Sequence, residues 1–204
     1  MVLMPSMENN ANGHVHDGFQ MTEDQKKSLL SVARASIHHG FNDSQALQID
    51  QQGHEIALQE NAATFVTLHK QGKLRGCIGT LEAYQPLITD VSEHAYAAAF
   101  QDPRFPPVTI DEFDSLHIEI SVLSPMLPMT FDNESDLLKQ LQPHVDGLTI
   151  EDGYHKATFL PQVWENLTNP QEFLTQLKLK AELAADHWSI DFKTYRYTVL
   201  SFEE

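Results

Sequence analysis

The segment at residues 72–80, GKLRGCIGT, holds the residues best suited to chemistry. It contains the single cysteine, Cys77, two positions from Arg75, in an apolar run broken by three glycines. Glycine weakens a strand, so Gly76 and Gly79 mark places where a neighbouring backbone or a ligand approaches closely. If the segment is a regular strand, alternation places Arg75 and Cys77 on one face, roughly 7 Å apart, with Leu74 and Ile78 on the other. A cation beside a thiol favours the thiolate, which is the nucleophile, whereas an unassisted buried cysteine is inert. The competing reading is a small apolar residue packed in a central strand.

Two further places could supply partners. Asp102 and Arg104 lie in the proline-rich run DPRFPP, where a turn could aim them at the cysteine strand. Otherwise they form a surface ion pair, which contributes little. Glu119 alternates with apolar neighbours beside His117 and would act as a general base if that face lines a cleft. On an antiparallel sheet such a face is more often solvated. A carboxylate, an arginine and a thiol brought to one place would make an acid-base and nucleophile set. The eleven histidines include no HExxH spacing, and neither a metal nor another cofactor is expected.

Composition narrows the classes. With 13 Lys plus Arg against 29 Asp plus Glu, the formal charge is -16, which repels phosphate backbones. The densest basic stretch is only Lys70, Lys73 and Arg75, so nucleic acid is not an expected partner. One cysteine excludes an intrachain disulfide framework and fits a reducing compartment. No stretch reaches the roughly 18 to 20 apolar residues of a membrane span, and no basic residue precedes a long apolar run near residue 1. The expected location is cytoplasmic, without membrane attachment.

The elements that must position these residues follow from periodicity. Residues 1–20 lack any period and are expected to be a disordered arm, ahead of one domain over 21–204. Thr22 and Gln25 have capping-box spacing, and Leu29, Leu30, Ala33 and Ile37 recur at helical intervals until Gly40, read as the stop. Residues 46–50 and 54–59 around Gln-Gln-Gly, and 64–68 and 74–78 around Gln71-Gly72, read as two hairpins. Pro86 opens a second helix carrying Leu87, Ile88, Val91, Ala95, Ala98 and Ala99. Residues 116–123 then alternate as a strand with one buried face. A short helix holds Leu137, Leu138 and Leu141, and a third hairpin spans a Glu-Asp-Gly turn. Asn169 and Pro170 start a helix reaching about Ala185, and residues 192–202 form a long closing strand. The fold class is α+β: a mostly antiparallel sheet built from hairpins and flanked by helices, in a larger and a smaller subdomain.

LRGCIG in the cysteine strand, DPRF after the second helix, EISVLSP in the alternating strand and FLPQVW after the third hairpin occur here in that order. In these motifs, between about Phe65 and Trp188, the chain resembles the AMMECR domain family. It departs from a pattern common in that family, a second cysteine and a glycine in the late helix. The corresponding stretch here reads Lys178, Leu179, Lys180, Ala181, Glu182. The resemblance implies a two-part α+β fold, cytosolic or nuclear residence and no assigned activity. It also implies a modification pathway shared with Memo-like and radical SAM proteins as partners. Carried over residue by residue, it puts weight on Arg75, Gly76, Cys77, Gly79, Asp102, Arg104, Glu119 and Pro161. Two readings stand: a Cys77-centred site, activated by Arg75 with Asp102 or Glu119 handling protons, or a non-catalytic interaction domain in which Cys77 is structural. Sequence leaves the substrate and the oligomeric state open.

Overall fold

The computed structural model describes residues 20–204. Residues 1–19, nearly all of the expected arm, lie outside them. Helix α1 (Glu23–Asp43) begins at the capping box read from the sequence: Gln25 N donates to the Thr22 hydroxyl and Thr22 N to the Gln25 side chain. It buries Leu29, Val32, Ala33, Ile37 and Gly40 on one stripe. Gly40 is not the stop. It lies inside the helix because a Cβ there would stand 2.5 Å from the Phe100 ring and 2.8 Å from Tyr96, so glycine serves a close helix contact.

The first expected hairpin is absent. Residues 46–59 form a loop, a 3-10 turn (Gln51–Gly53) and the short helix α2 (Ile56–Gln59). The Leu47 backbone, which a strand would have paired, is satisfied by helix serines: its N–H donates to Ser36 Oγ at 3.1 Å and its carbonyl accepts from Ser92 Oγ at 2.7 Å. Asp50 caps the 3-10 turn through Gln52 N.

The second hairpin forms as expected, from β1 (Ala63–Lys70) and β2 (Lys73–Gly79). Its two-residue turn has positive φ at both Gln71 (52°) and Gly72 (71°), which matches the twist of the strands it joins. Helix α3 (Leu87–Phe100) follows with Pro86 as its cap, then a 3-10 helix (Ile110–Ser115) and β3 (Leu116–Leu123). The short β4 (Leu127–Pro128), α4 (Glu134–Gln140) and the third hairpin, β5 (Gly147–Asp152) with β6 (His155–Phe159), come next. Helix α5 (Pro170–Lys180) ends earlier than expected, because Glu182 turns left-handed (φ 61°) and Leu183 N reaches back to Lys178 O.

The expected closing strand is two strands in different sheets, β7 (Lys193–Tyr197) and β8 (Val199–Glu203). Both sheets are antiparallel, with orders β2-β1-β3-β8 and β4-β7-β5-β6. The chain crosses between them twice, side by side: Ser124 N donates to Thr198 O and Thr198 N to Ser124 Oγ, each at 2.9 Å. The larger subdomain packs α1 and α3 on one face of the first sheet, around Val66, Leu68, Ile118, Ile120 and Val122. The smaller packs α4 and α5 on the second, where Trp164 stacks on Phe173 at 3.8 Å. The α+β reading and its two subdomains therefore hold.

Gly76 lies against α3, and a Cβ there would stand 2.1 Å from the backbone oxygen of Ala98. No flexible side chain can give way, so Gly76→Ala should destabilise by about 3 kcal/mol or more in urea unfolding. Gly53→Ala, with nothing within 4 Å, should change stability little.

Candidate functional site

The face that Cys77 presents is decided by one irregularity in the hairpin. From the turn, Lys70 pairs with Lys73 and His69 with Leu74, but Leu68 then pairs with Gly76 and Thr67 with Cys77. Arg75 is the extra residue, a β-bulge. Without it Cys77 would oppose Val66 and share that residue's core-facing direction. With it, Gly76 and Ile78 take the helix side, and Cys77 lies half-buried on the outer face beside Thr67, whose hydroxyl donates to Sγ at 3.3 Å.

The bulge also overturns the expectation that Arg75 and Cys77 share a face, since alternation fails across an unpaired residue. Arg75 is held instead by Glu112: Nε to Oε1 at 3.2 Å and Nη2 to Oε2 at 3.0 Å. Lys70 Nζ adds a third contact at 2.9 Å. The Arg75 hydrogen bond, then that of Lys70 and the Thr109 amide, hold the Glu112 carboxyl well below the usual carboxylate range. This group fixes the start of β3, and among the described residues no hydrogen bond joins Arg75 to the sulfur.

Asp102 and Arg104 do converge on Cys77. β2 is an edge strand, so the N–H and C=O of alternate residues point away from β1 and need partners. At Cys77 both are taken. Its N–H donates to Asp102 Oδ2 at 2.8 Å, and its carbonyl accepts from Arg104 Nη2 at 3.0 Å. The two side chains are locked together: Arg104 Nε to Asp102 Oδ1 at 2.9 Å, Nη2 to Oδ2 at 2.6 Å, and Arg104 N to Oδ1 at 3.0 Å. Asp102 is buried, while the Arg104 side chain is 53% exposed. The pair does what a neighbouring strand would do for one residue. Arg104 is held charged first by its hydrogen bond to Asp102, and the Cys77 sulfur also contributes. Arg104 is thus the cation hydrogen-bonded to Cys77, through that residue's carbonyl.

Glu119 lies on the same outer face, two strands away, because Thr67 pairs with both Cys77 and Glu119. That is roughly 10 Å between backbones. Glu119 does not touch the clamp. Sequence reasoning missed Thr67, whose position opposite Cys77 depends on the bulge, and Glu112. The latter had a readable signal in its capping-box spacing with Thr109, which forms. Pro161 starts a 3-10 helix (Pro161–Glu165) in the smaller subdomain, apart from Cys77. Among the described residues, no group of three or more His, Cys, Asp or Glu side chains is placed to hold a metal ion. No helix among them is long and apolar enough to cross a membrane.

Comparison with known proteins places this geometry in a family. The family model AMMECR1 matches residues 30–202, well beyond the span of the four motifs. A protein of Methanothermobacter thermautotrophicus is 34% identical over 190 residues, covering 90% of this chain and 96% of its own length. Protein MJ0810 of Methanocaldococcus jannaschii is 41% identical over 149 residues, covering 71% and 74% respectively. The crystal structure of uncharacterized protein PH0010 from Pyrococcus horikoshii superposes with a TM-score of 0.75 at 32% identity, covering 91% of this chain and 94% of that one.

The clamp carries a pH signature. The Asp102 carboxyl is pulled well below the usual range by its Arg104 hydrogen bond first, against the opposing effect of burial, with the Cys77 and Arg104 amides adding to the pull. A folded value below the unfolded one, about 3.9, gives stability that is present above about pH 4 and lost as pH falls toward the folded value. Asp102→Asn should cost about 1.5 to 3 kcal/mol in urea unfolding at pH 7, and the difference from wild type should shrink on acidification below pH 4.

Proposed function

The chain belongs to the AMMECR1 family, and from that premise we propose that it serves a modification pathway alongside Memo-like and radical SAM proteins in the cytoplasm, with the Cys77 thiol as its reactive group. One observation carries the reading: Cys77 faces away from the helix-packed core, half-buried on the outer side of an edge strand, while its backbone is fixed at both ends by Asp102 and Arg104. A purely structural cysteine in this strand would be expected on the helix side, where Gly76 and Ile78 lie.

The parts divide as follows. Thr67 donates its hydroxyl to the sulfur, and Arg104 holds the Cys77 carbonyl and brings a cation to that residue. Asp102 is a positioning residue. Both its oxygens already accept hydrogen bonds, so it orients Arg104 and the strand and moves no proton. Glu119, across Thr67 on the same face, can take a proton from a substrate lying over the sheet, at a distance that keeps it from the thiol itself. Arg75 supports this arrangement only through Glu112.

Alkylation by iodoacetamide tests the reading, since the chain has one thiol. The folded protein at pH 7 should label at Cys77, and Arg104→Ala should slow labelling several-fold with the fold intact by circular dichroism. Labelling that waits for unfolding would support the alternative, an interaction domain with a structural cysteine.

A further inference from the structure

Away from the thiol, a cleft of about 980 Å³ opens between the two subdomains, and its lining leaves out Cys77, Asp102, Arg104 and Glu119. That volume suits a small organic molecule. Its walls are mostly apolar, formed by Ala63, Leu81, Leu87, Leu123, Met126 and Ala157. The charges are divided between the walls. Glu60 and Glu82 belong to the larger subdomain, and Lys156 and Lys180 to the smaller.

The two lysines are underused. Lys180 Nζ lies 5.1 Å from the centre of the Phe159 ring and donates to Thr158 O at 3.0 Å, one hydrogen bond for an ammonium with three donors. Among the described residues no side-chain hydrogen bond or ion pair holds Lys156, whose strand neighbour across the ladder is Glu151. In a chain of net charge -16 with 13 basic residues, a pair of cations with spare donors beside an apolar cavity singles out an anion. The cavity beyond them needs an apolar body to fill it.

We infer that this cleft binds an organic anion with an apolar body, its head group on Lys156 and Lys180 and its body against Leu123 and Met126. The site is independent of the thiol reading, because none of its residues belongs to the Cys77 clamp.

Anilinonaphthalene sulfonate, which joins an anionic head to an apolar ring system, is the probe. Its fluorescence should rise saturably on adding the full-length folded protein, with about one site per chain. Lys156→Glu with Lys180→Glu should weaken binding roughly fivefold to tenfold. Ala83→Trp, which places a ring at an exposed position on the lining, should abolish it. Lys139→Glu with Lys193→Glu, on α4 and β7 and outside the lining, matches that change in net charge and should leave binding unchanged. Decanoate and naphthoate as competitors separate a flexible acyl body from a flat aromatic one. Displacement by either supports the inference and assigns the shape of the body. Absence of saturable binding, indifference to Ala83→Trp, or equal weakening by the paired Lys139→Glu and Lys193→Glu control would overturn it, as would failure of both competitors. Circular dichroism of each variant separates loss of binding from loss of fold.

Discussion

The extra residue at Arg75 is the constraint on which the rest of the site depends. The two-residue turn at Gln71 and Gly72 sets the count along the hairpin, and on that count Cys77 would face the helices with Val66. One bulged residue reverses this, because side chains alternate with a period of two. The thiol moves to the outer face, and the small Gly76 moves under Ala98 of α3, where no side chain would fit. The displaced Arg75 is left to pair with Glu112 beside Lys70.

An edge strand with a bulge has unpaired backbone groups, and the Asp102–Arg104 clamp answers that need at Cys77. Charge-assisted hydrogen bonds are the stronger kind, and here one carboxylate and one guanidinium satisfy a donor and an acceptor of the same residue. The clamp comes from the turn directly after α3, so the helix that covers Gly76 also delivers the groups that fix its neighbour. Farther away, the paired crossing at Ser124 and Thr198 joins the two sheets, and the cleft with its two lysines opens between the subdomains they build.

The sequence made much of this frame legible where one local signal decided the matter. The capping box at Thr22, the alternation of β3, the Gln71–Gly72 turn and the Asn169–Pro170 helix start all form as read. Close approach at Gly76 and Gly79 was also readable, since a Cβ at Gly79 would stand 2.3 Å from Thr64 O. What failed depended on tertiary partners. Residues 46–59 have strand-like composition, but Ser36 and Ser92 claim the Leu47 backbone. Gly40 resembles a helix stop and is a helix contact. Residues 192–202 have no local break where they change sheets, because the break is made by Ser124, some seventy residues away. At the site, the convergence of Asp102 and Arg104 on the cysteine strand was foreseeable from their turn. The facing of Arg75 was not, because one bulge changes it and no residue type announces that bulge.

Hydrogen exchange at the Cys77 amide tests the central claim directly. On an outward edge position that N–H would exchange rapidly unless Asp102 holds it. The account predicts strong protection in the native protein, comparable with the amides of β1 inside the sheet, and its loss in Asp102→Ala while β1 and β3 stay protected. Rapid exchange of the wild-type Cys77 amide would contradict it, since the strand would then be unclamped and the thiol's position unfixed.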